Sequence, residues 1–78
     1  MQKIRPDMDI GNNIQCLRKN ANMTQDQTIA RLHLLGIDIS KSTYAKLETN
    51  RMNIKVSELV ALSKIFEVDI SEFFDGLF

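Results

Sequence analysis

Residues 40–48 are predicted to form a short helix that shows small polar and cationic side chains to solvent. Ser40 has the type of an N-terminal cap, and the apolar Tyr44 and Leu47, three residues apart, are predicted to face inward. The outward face carries Lys41, Ser42, Ala45 and Lys46. Lysine and serine can hydrogen-bond to base edges in the DNA major groove, and alanine can touch a thymine methyl group. The pattern as a whole predicts a base-reading helix, although each residue taken alone is more often part of a solvated polar face.

A second capped helix is predicted just before it. Thr24 and Gln27 have the types and spacing of a capping box. The free N–H groups and the positive dipole end of such an N-terminus favour phosphate. Gln25 lies in the first turn, where it can reach a phosphate or clamp a side chain of the reading helix.

Helical rather than alternating spacing of the apolar residues predicts an all-α chain. We expect a tail over residues 1–8 and one helix-turn-helix domain over residues 9–78. The five predicted helices are Asp9 to Asn20, Thr24 to about Gly36, Ser40 to about Thr49, Lys55 to Phe66, and a short one capped by Asp69 with Glu72 at the matching third position. In the second helix, Ile29, Leu32 and either His33 or Leu35 form the predicted inward stripe. Asn50 takes the place of a helix-stopping glycine.

Composition and charge bound the possible partners. Seventy-eight residues make one domain, and no apolar run is long enough to cross a membrane. The single cysteine fits a reducing cytoplasm. The net charge is zero, but residues 1–51 carry eight Lys/Arg and five Asp/Glu (8 − 5 = +3) and residues 52–78 carry two and five (2 − 5 = −3). A protein with no net charge can therefore still bind phosphate through a local basic face.

Nothing in the sequence predicts an enzyme, a metal site or a cofactor. His33 is the only histidine and has no metal-ligand spacing to the single cysteine, so we expect it at an exposed helix position. Cys16 lies off the core stripe and is read as a boundary thiol. The acid pairs Glu67/Asp69 and Glu72/Asp75 are read as caps and surface.

Four segments together resemble the lambda-repressor/Cro-like (XRE-type) helix-turn-helix family of bacterial and phage transcriptional regulators. They are Ile14-Gln-Cys-Leu-Arg18, Met23-Thr-Gln25, Ile39-Ser-Lys-Ser-Thr-Tyr-Ala-Lys-Leu-Glu48 and Leu59-Val-Ala-Leu-Ser-Lys-Ile-Phe66. The resemblance implies a compact five-helix fold with the helix-turn-helix at helices 2 and 3, dimeric operator binding and regulation of transcription. It also implies a buried or half-buried ion pair between Arg18 and Glu48. The phosphate contacts that we expect from it are Arg18, Gln25, Thr43, Asn50 (through its backbone N–H) and Arg51.

The chain departs from the family pattern at three places. Thr28-Ile29 stands where Leu-Ala is common, and Asn50 stands where glycine usually follows the reading helix. About five extra residues separate Leu32 from Ser40, which we place in one more turn of helix 2 and a longer connector. This departure affects the angle between the two helices more than the fold.

The apolar ending predicts a dimer interface. The candidates are Phe66, Ile70, Phe73, Phe74, Leu77 and Phe78, with Phe73 or Phe74 expected to anchor the ending to the monomer core. Two alternatives stay open: a protein-interaction module or antitoxin-type partner that uses the same fold, and a DNA-binding fragment of a longer regulator.

Overall fold

The structure is a computed structural model that describes residues 9–77. Within that range it has four α-helices, one 3-10 helix and no strand, in the order α1 (Ile10–Asn20), α2 (Gln25–Leu34), α3 (Lys41–Glu48), α4 (Val56–Phe66) and the 3-10 helix (Ile70–Phe74). The predicted all-α class is confirmed. The fifth predicted helix is instead a 3-10 helix of five residues; tight 3-10 turns are common where a helix is this short. The predicted tail at residues 1–8 lies outside the described residues.

Side-chain caps start the helices that the sequence predicted. At α2, Thr24 Oγ1 accepts from Gln27 N (3.1 Å) and Gln27 Oε1 accepts from Thr24 N (2.9 Å), so the capping box is complete. At α3, Ser40 Oγ accepts from Thr43 N at 3.1 Å. These bonds satisfy backbone donors that a helix N-terminus otherwise leaves without a partner.

The start of α4 follows a different rule. Lys55 precedes it and offers no side-chain acceptor, but Glu58 Oε1 accepts from Lys55 N at 2.8 Å. One half of a capping box therefore sets this boundary, which explains why no cap residue marks it in the sequence.

The connector between α2 and α3 reverses the chain and returns to the core. Gly36 takes a left-handed φ of 86°, and Ile37 N donates to Leu32 O at 2.9 Å. Ile39 is buried, as expected for a connector residue that plugs into the core. Both alternatives for the third residue of the inward stripe are wrong. His33 is exposed, and Leu35 lies at the C-cap after α2 ends at Leu34, with 51% of its surface exposed.

The core lies where all five elements meet. α1 packs against α3 and the 3-10 helix, while α2 packs against α3 and α4. The side chains with almost no exposure are Ile14, Thr28, Leu32, Tyr44, Leu62 and Phe73. Since α3 contributes Tyr44 to this core, its outward face is held in a defined orientation.

The chain ending is anchored to the monomer. Phe73 is fully buried, and its ring lies 6.4 Å from that of Phe66, centroid to centroid. Asn13 Nδ2 donates to Phe73 O and to Asp75 O, each at 2.9 Å. Phe66 is therefore a correction to the expected dimer interface: it is 5% exposed and belongs to the core of one copy.

Candidate nucleic-acid interface

The outward face of α3 is built as the sequence predicts. Lys41, Ser42 and Lys46 are exposed, and Ala45 is half-buried between them. Positions 41, 42, 45 and 46 lie on one side of a helix because residues three and four apart are neighbours. Tyr44 and Leu47 occupy the other side and are buried. The face therefore presents two cations, a hydroxyl and a methyl group to solvent.

An acid lies directly against this face. Lys41 Nζ is 3.2 Å from Asp26 Oδ1, and both side chains are largely exposed. Asp26 is in the first turn of α2, where a carboxylate is favoured by the helix dipole. Sequence reasoning missed this pair because the two residues are 15 positions apart and only the crossing of α2 and α3 brings them together. The pair draws one of the two lysines of α3 toward α2.

A buried ion pair fixes α3 to α1. Arg18 Nε donates to Glu48 Oε2 at 2.7 Å and Nη2 donates to Glu48 Oε1 at 3.1 Å, a bidentate arrangement. Arg18 Nη1 donates to Met23 O at 2.7 Å, in the turn before α2. Gln25 Nε2 donates to the same Glu48 Oε1 at 3.0 Å. The Arg18–Glu48 pair thus joins α1, the turn, α2 and the last turn of α3.

The electrostatics of this network keep Arg18 and Glu48 charged. The hydrogen bond to Glu48 raises the pKa of Arg18, with burial acting in the opposite direction. Burial also tends to raise the pKa of Glu48, but the hydrogen bonds from Arg18 and Gln25 help to outweigh it, and the net pKa is lowered. Burial, followed by the nearby Glu48 carboxylate, raises the pKa of Tyr44, so this phenol stays neutral.

A glycine lets α1 approach the end of α3. A Cβ on Gly11 would overlap Leu47 O and lie 2.8 Å from both Asn50 N and Glu48 O. Gly11 N donates to Asn50 Oδ1 at 3.3 Å, and Asn50 holds the predicted left-handed conformation with φ 60°. Sequence reasoning missed Gly11. Its signal was a glycine inside a helical pattern, which commonly marks close packing.

Two of the expected phosphate contacts need correction. All three guanidinium nitrogens of Arg18 are bonded inside the protein, so this side chain does not face solvent as a phosphate ligand. The backbone N–H of Asn50 donates to Leu47 O at 3.2 Å and is not free for phosphate. Arg18 joins α1 to α3, because a buried charge requires an internal partner. The Asn50 N–H closes the end of α3.

The other expected phosphate contacts differ in availability. Arg51 is exposed directly after α3. Thr43 is half-buried, and its hydroxyl accepts from Ser40 Oγ at 3.0 Å while its own proton stays available. The Gln25 side chain donates to Glu48, which is one of its two predicted roles. Gln25 also begins α2, and a helix leaves the N–H groups of its first turn without a partner inside the helix.

The remaining reactive side chains do not assemble a site among residues 9–77. His33 is exposed, and its Nε2 lies 2.9 Å from Ile39 O, tying α2 to the connector. Cys16 is an exposed free thiol. Over the same residues, no cluster of three or more His, Cys, Asp or Glu side chains is placed to hold a metal ion. No helix described there is long and apolar enough to cross a membrane.

A capped helix, a connector and a second capped helix with a polar outward face, held by a buried ion pair, define a helix-turn-helix domain. A family model described as a helix-turn-helix domain matches residues 11–77, and the chain belongs to this family, of the XRE/Cro-like type. The family is a DNA-binding, regulatory one and not a family of enzymes. No curated protein and no solved structure matches the chain significantly.

Proposed function

We propose that this protein binds duplex DNA in a sequence-dependent way, with α3 in the major groove, and that it represses transcription at the sites it occupies. The observation that carries the proposal is the outward face of α3, with Lys41, Ser42 and Lys46 exposed. The opposite side of the same helix is locked by the Arg18–Glu48 pair. A reading helix held this rigidly loses little conformational entropy on binding.

Each side chain of the face has a proposed role. Lys41 and Lys46 donate to guanine O6 and N7, Ser42 donates to or accepts from a neighbouring base, and Ala45 touches a thymine methyl group. Arg51, Thr43 and the N-terminus of α2 at Gln25 contact backbone phosphates, which position the domain without reading sequence. With duplex DNA as its partner, the protein acts in the cytoplasm of a bacterial cell, as a host or phage regulator.

Two copies are proposed to bind one operator. A single reading helix covers only a few base pairs, and half-sites for such dimers lie about one helical turn apart, roughly 34 Å. The long axis of one copy measures 30 Å, so two copies side by side span that distance. The chain ending supplies the proposed twofold contact through Ile70, Phe74 and Leu77, where Ile70 is exposed and the other two are half-buried. Phe78 was expected to join it and lies outside the described residues.

The dimer is tested by sedimentation of the full chain against a chain that ends at Asp75. This truncation keeps the Asn13 bonds to Phe73 O and Asp75 O, so the monomer fold should survive. We expect the full chain to dimerise, at least on a palindromic site, and the truncated chain to bind that site more weakly. Equal binding by two monomeric chains would remove the ending from the interface.

The central experiment is selection of bound duplexes from a random pool at two salt concentrations. We expect an enriched palindromic motif. Lys41→Ala and Lys46→Ala should each relax preference at one or two base pairs, by about 1–3 kcal/mol for each good contact. Arg51→Ala should weaken binding to all sequences alike and reduce the salt slope by about one. Lys64→Ala, an exposed cation on α4, is the matched control and should change neither.

Two observations favour a second function, that of a protein-interaction module or antitoxin-type partner. Asp26 places a carboxylate against Lys41 on the proposed DNA face, and the whole chain has no net charge. Both features weaken attraction to phosphate. Absence of any enriched motif at low salt would favour this function over DNA binding.

A further inference from the structure

Two adjacent leucines are exposed where α2 ends. Leu34 is 82% exposed and Leu35 is 51% exposed, whereas Leu32, one turn earlier, is buried. Val60 on α4 is also exposed. Single exposed apolar residues are ordinary, but grouped ones commonly mark contact surfaces. The first question is whether these residues form one surface.

A shallow concavity of about 230 Å³ joins Leu34 and Leu35 to α4 in one groove. It lies between the end of α2 and α4 and is lined by Arg31, Leu34, Leu35, Lys64 and Ile65. We call this set the α2–α4 groove. Val60 lies four residues before Lys64, on the same side of α4, but it does not line the groove. The groove therefore combines apolar side chains with two cations.

The two cations of the groove are uncommitted. Neither Arg31 nor Lys64 forms an ion pair with another residue in the range 9–77. Elsewhere in that range, Arg18 pairs with Glu48 and Lys41 pairs with Asp26. A groove that combines apolar side chains with two cations is complementary to a surface that combines apolar side chains with carboxylates.

We propose that the α2–α4 groove binds a protein partner through an acidic amphipathic helix. Such a helix would place apolar side chains on Leu34 and Leu35 and carboxylates beside Arg31 and Lys64. This is the helix-in-groove mode of recognition, read through positions i, i+3, i+4 and i+7. The proposal goes beyond DNA binding and does not depend on it.

A second copy of this chain fits the groove less well. A twofold contact would bring Arg31 and Lys64 of both copies together, and like charges across an interface are costly. The acidic, apolar segment that the chain does carry is the ending around Glu72. That segment is held to α1 by both Asn13 bonds, and its apolar side chains belong to the proposed twofold contact, so it is not the proposed occupant of the groove.

The groove and the proposed DNA face lie at opposite ends of α2. Gln25 begins the helix near α3, and Leu34 ends it nine residues later. At 1.5 Å per residue this separation is about 13.5 Å along the helix axis. A partner helix in the groove therefore leaves the face of α3 open, and both ligands can be bound at once.

A display library of random peptides, each roughly 15 residues long, tests the proposal. The full chain is the target, and the Leu34→Ser/Leu35→Ser variant is the counter-target, since exposed positions tolerate such changes with little loss of stability. We expect enriched peptides with apolar residues at helical spacing and Asp or Glu between them. Selection of basic peptides, or no enrichment over the counter-target, overturns the proposal.

Charge reversal gives the second measurement. Arg31→Glu/Lys64→Glu should lower the affinity for the best peptide by at least about tenfold. The same variant should bind more tightly to a version of that peptide in which lysines replace the acidic residues. Lys19→Glu/Lys55→Glu makes the same change in net charge at exposed positions away from the groove and should leave both affinities unchanged. Equal losses in the two double variants would mean that net charge, not the groove, attracts the peptide, which overturns the assignment.

Two further measurements distinguish the proposed partner helix from other occupants of the groove. Binding of anionic phosphatidylserine vesicles that depends on Leu34 and Leu35, without peptide enrichment, would identify a membrane surface instead. Loss of self-association in the Leu34→Ser/Leu35→Ser variant, measured by sedimentation, would identify a second copy as the occupant. Either result overturns the proposal, while DNA binding, measured separately, stays unaffected.

Discussion

Arg18→Met removes the cation of the buried network and should destabilise the fold strongly. The Arg18 side chain makes three hydrogen bonds, two to Glu48 and one to Met23 O. Only 8% of Arg18 and 5% of Glu48 is exposed, so the carboxylate left behind cannot be hydrated without opening the fold. Gln25 still donates to Glu48 Oε1, which compensates in part.

The expected loss of stability is about 3–4 kcal/mol. Removing one partner of a buried ion pair costs about 3–5 kcal/mol, and the remaining Gln25 bond places the loss in the lower part of that range. A domain of 78 residues has a total stability of roughly 4–12 kcal/mol. At about 4–8 °C per kcal/mol, the midpoint of thermal unfolding should fall by roughly 12–30 °C.

Urea unfolding followed by circular dichroism at neutral pH measures this loss. Lys19→Met is the matched control, because it makes the same chemical change at the next, exposed position of α1, and it should stay within about 0.5 kcal/mol of the parent. Arg18→Met/Glu48→Leu removes both charges and should recover about half of the loss or more. A loss below about 1 kcal/mol for Arg18→Met, or additive effects in the double variant, would refute the reasoning.

Three further predictions concern α3 and its supports. The pKa of Glu48 is lowered in the folded chain, so the stability that its charge contributes is complete above its unfolded value, roughly 4.3, and is lost as the pH falls through the lower folded value. Glu48→Gln should therefore flatten the acid limb of a series of urea midpoints; an unchanged limb would contradict this. Gly11→Ala should cost about 1–3 kcal/mol in urea unfolding, because its Cβ meets backbone atoms that cannot rotate away, whereas Asn12→Ala at an exposed position should cost little. Asp26→Asn should raise affinity for duplexes without a preferred site about fivefold in fluorescence anisotropy titrations. Asp26 lies 3.2 Å from Lys41 on the proposed DNA face, and two unit charges about 4 Å apart in water interact by about 1 kcal/mol. An unchanged affinity would show that the Asp26 charge does not oppose phosphate.

The sequence by itself determined the helices and their N-terminal caps. A cap is a local bond across two or three residues, so Thr24, Gln27 and Ser40 could be read directly from residue type and spacing. The inward side of α3 was equally readable because Tyr44 and Leu47 are its only large apolar residues. The start of α4 was less clear, since there the capping side chain is Glu58 and not the residue before the helix.

The ion pair between Arg18 and Glu48 was expected only from the family resemblance. The two residues are 30 positions apart, and no local spacing rule connects them. The same reasoning also aimed Arg18 at a phosphate, which three internal hydrogen bonds rule out as its resting role. The burial of Arg18 had to be known before its guanidinium could be assigned to the internal ion pair and not to a phosphate contact.

Only the tertiary structure decided which residues share the surfaces that matter. The crossing of α2 and α3 brings Asp26 to Lys41, and the packing of α2 on α4 brings Leu34 and Lys64 to one groove. The close approach at Gly11 likewise depends on how α1 meets α3. Contacts between helices depend on crossing angles and connector length, and side-chain periodicity within one helix carries no information about either.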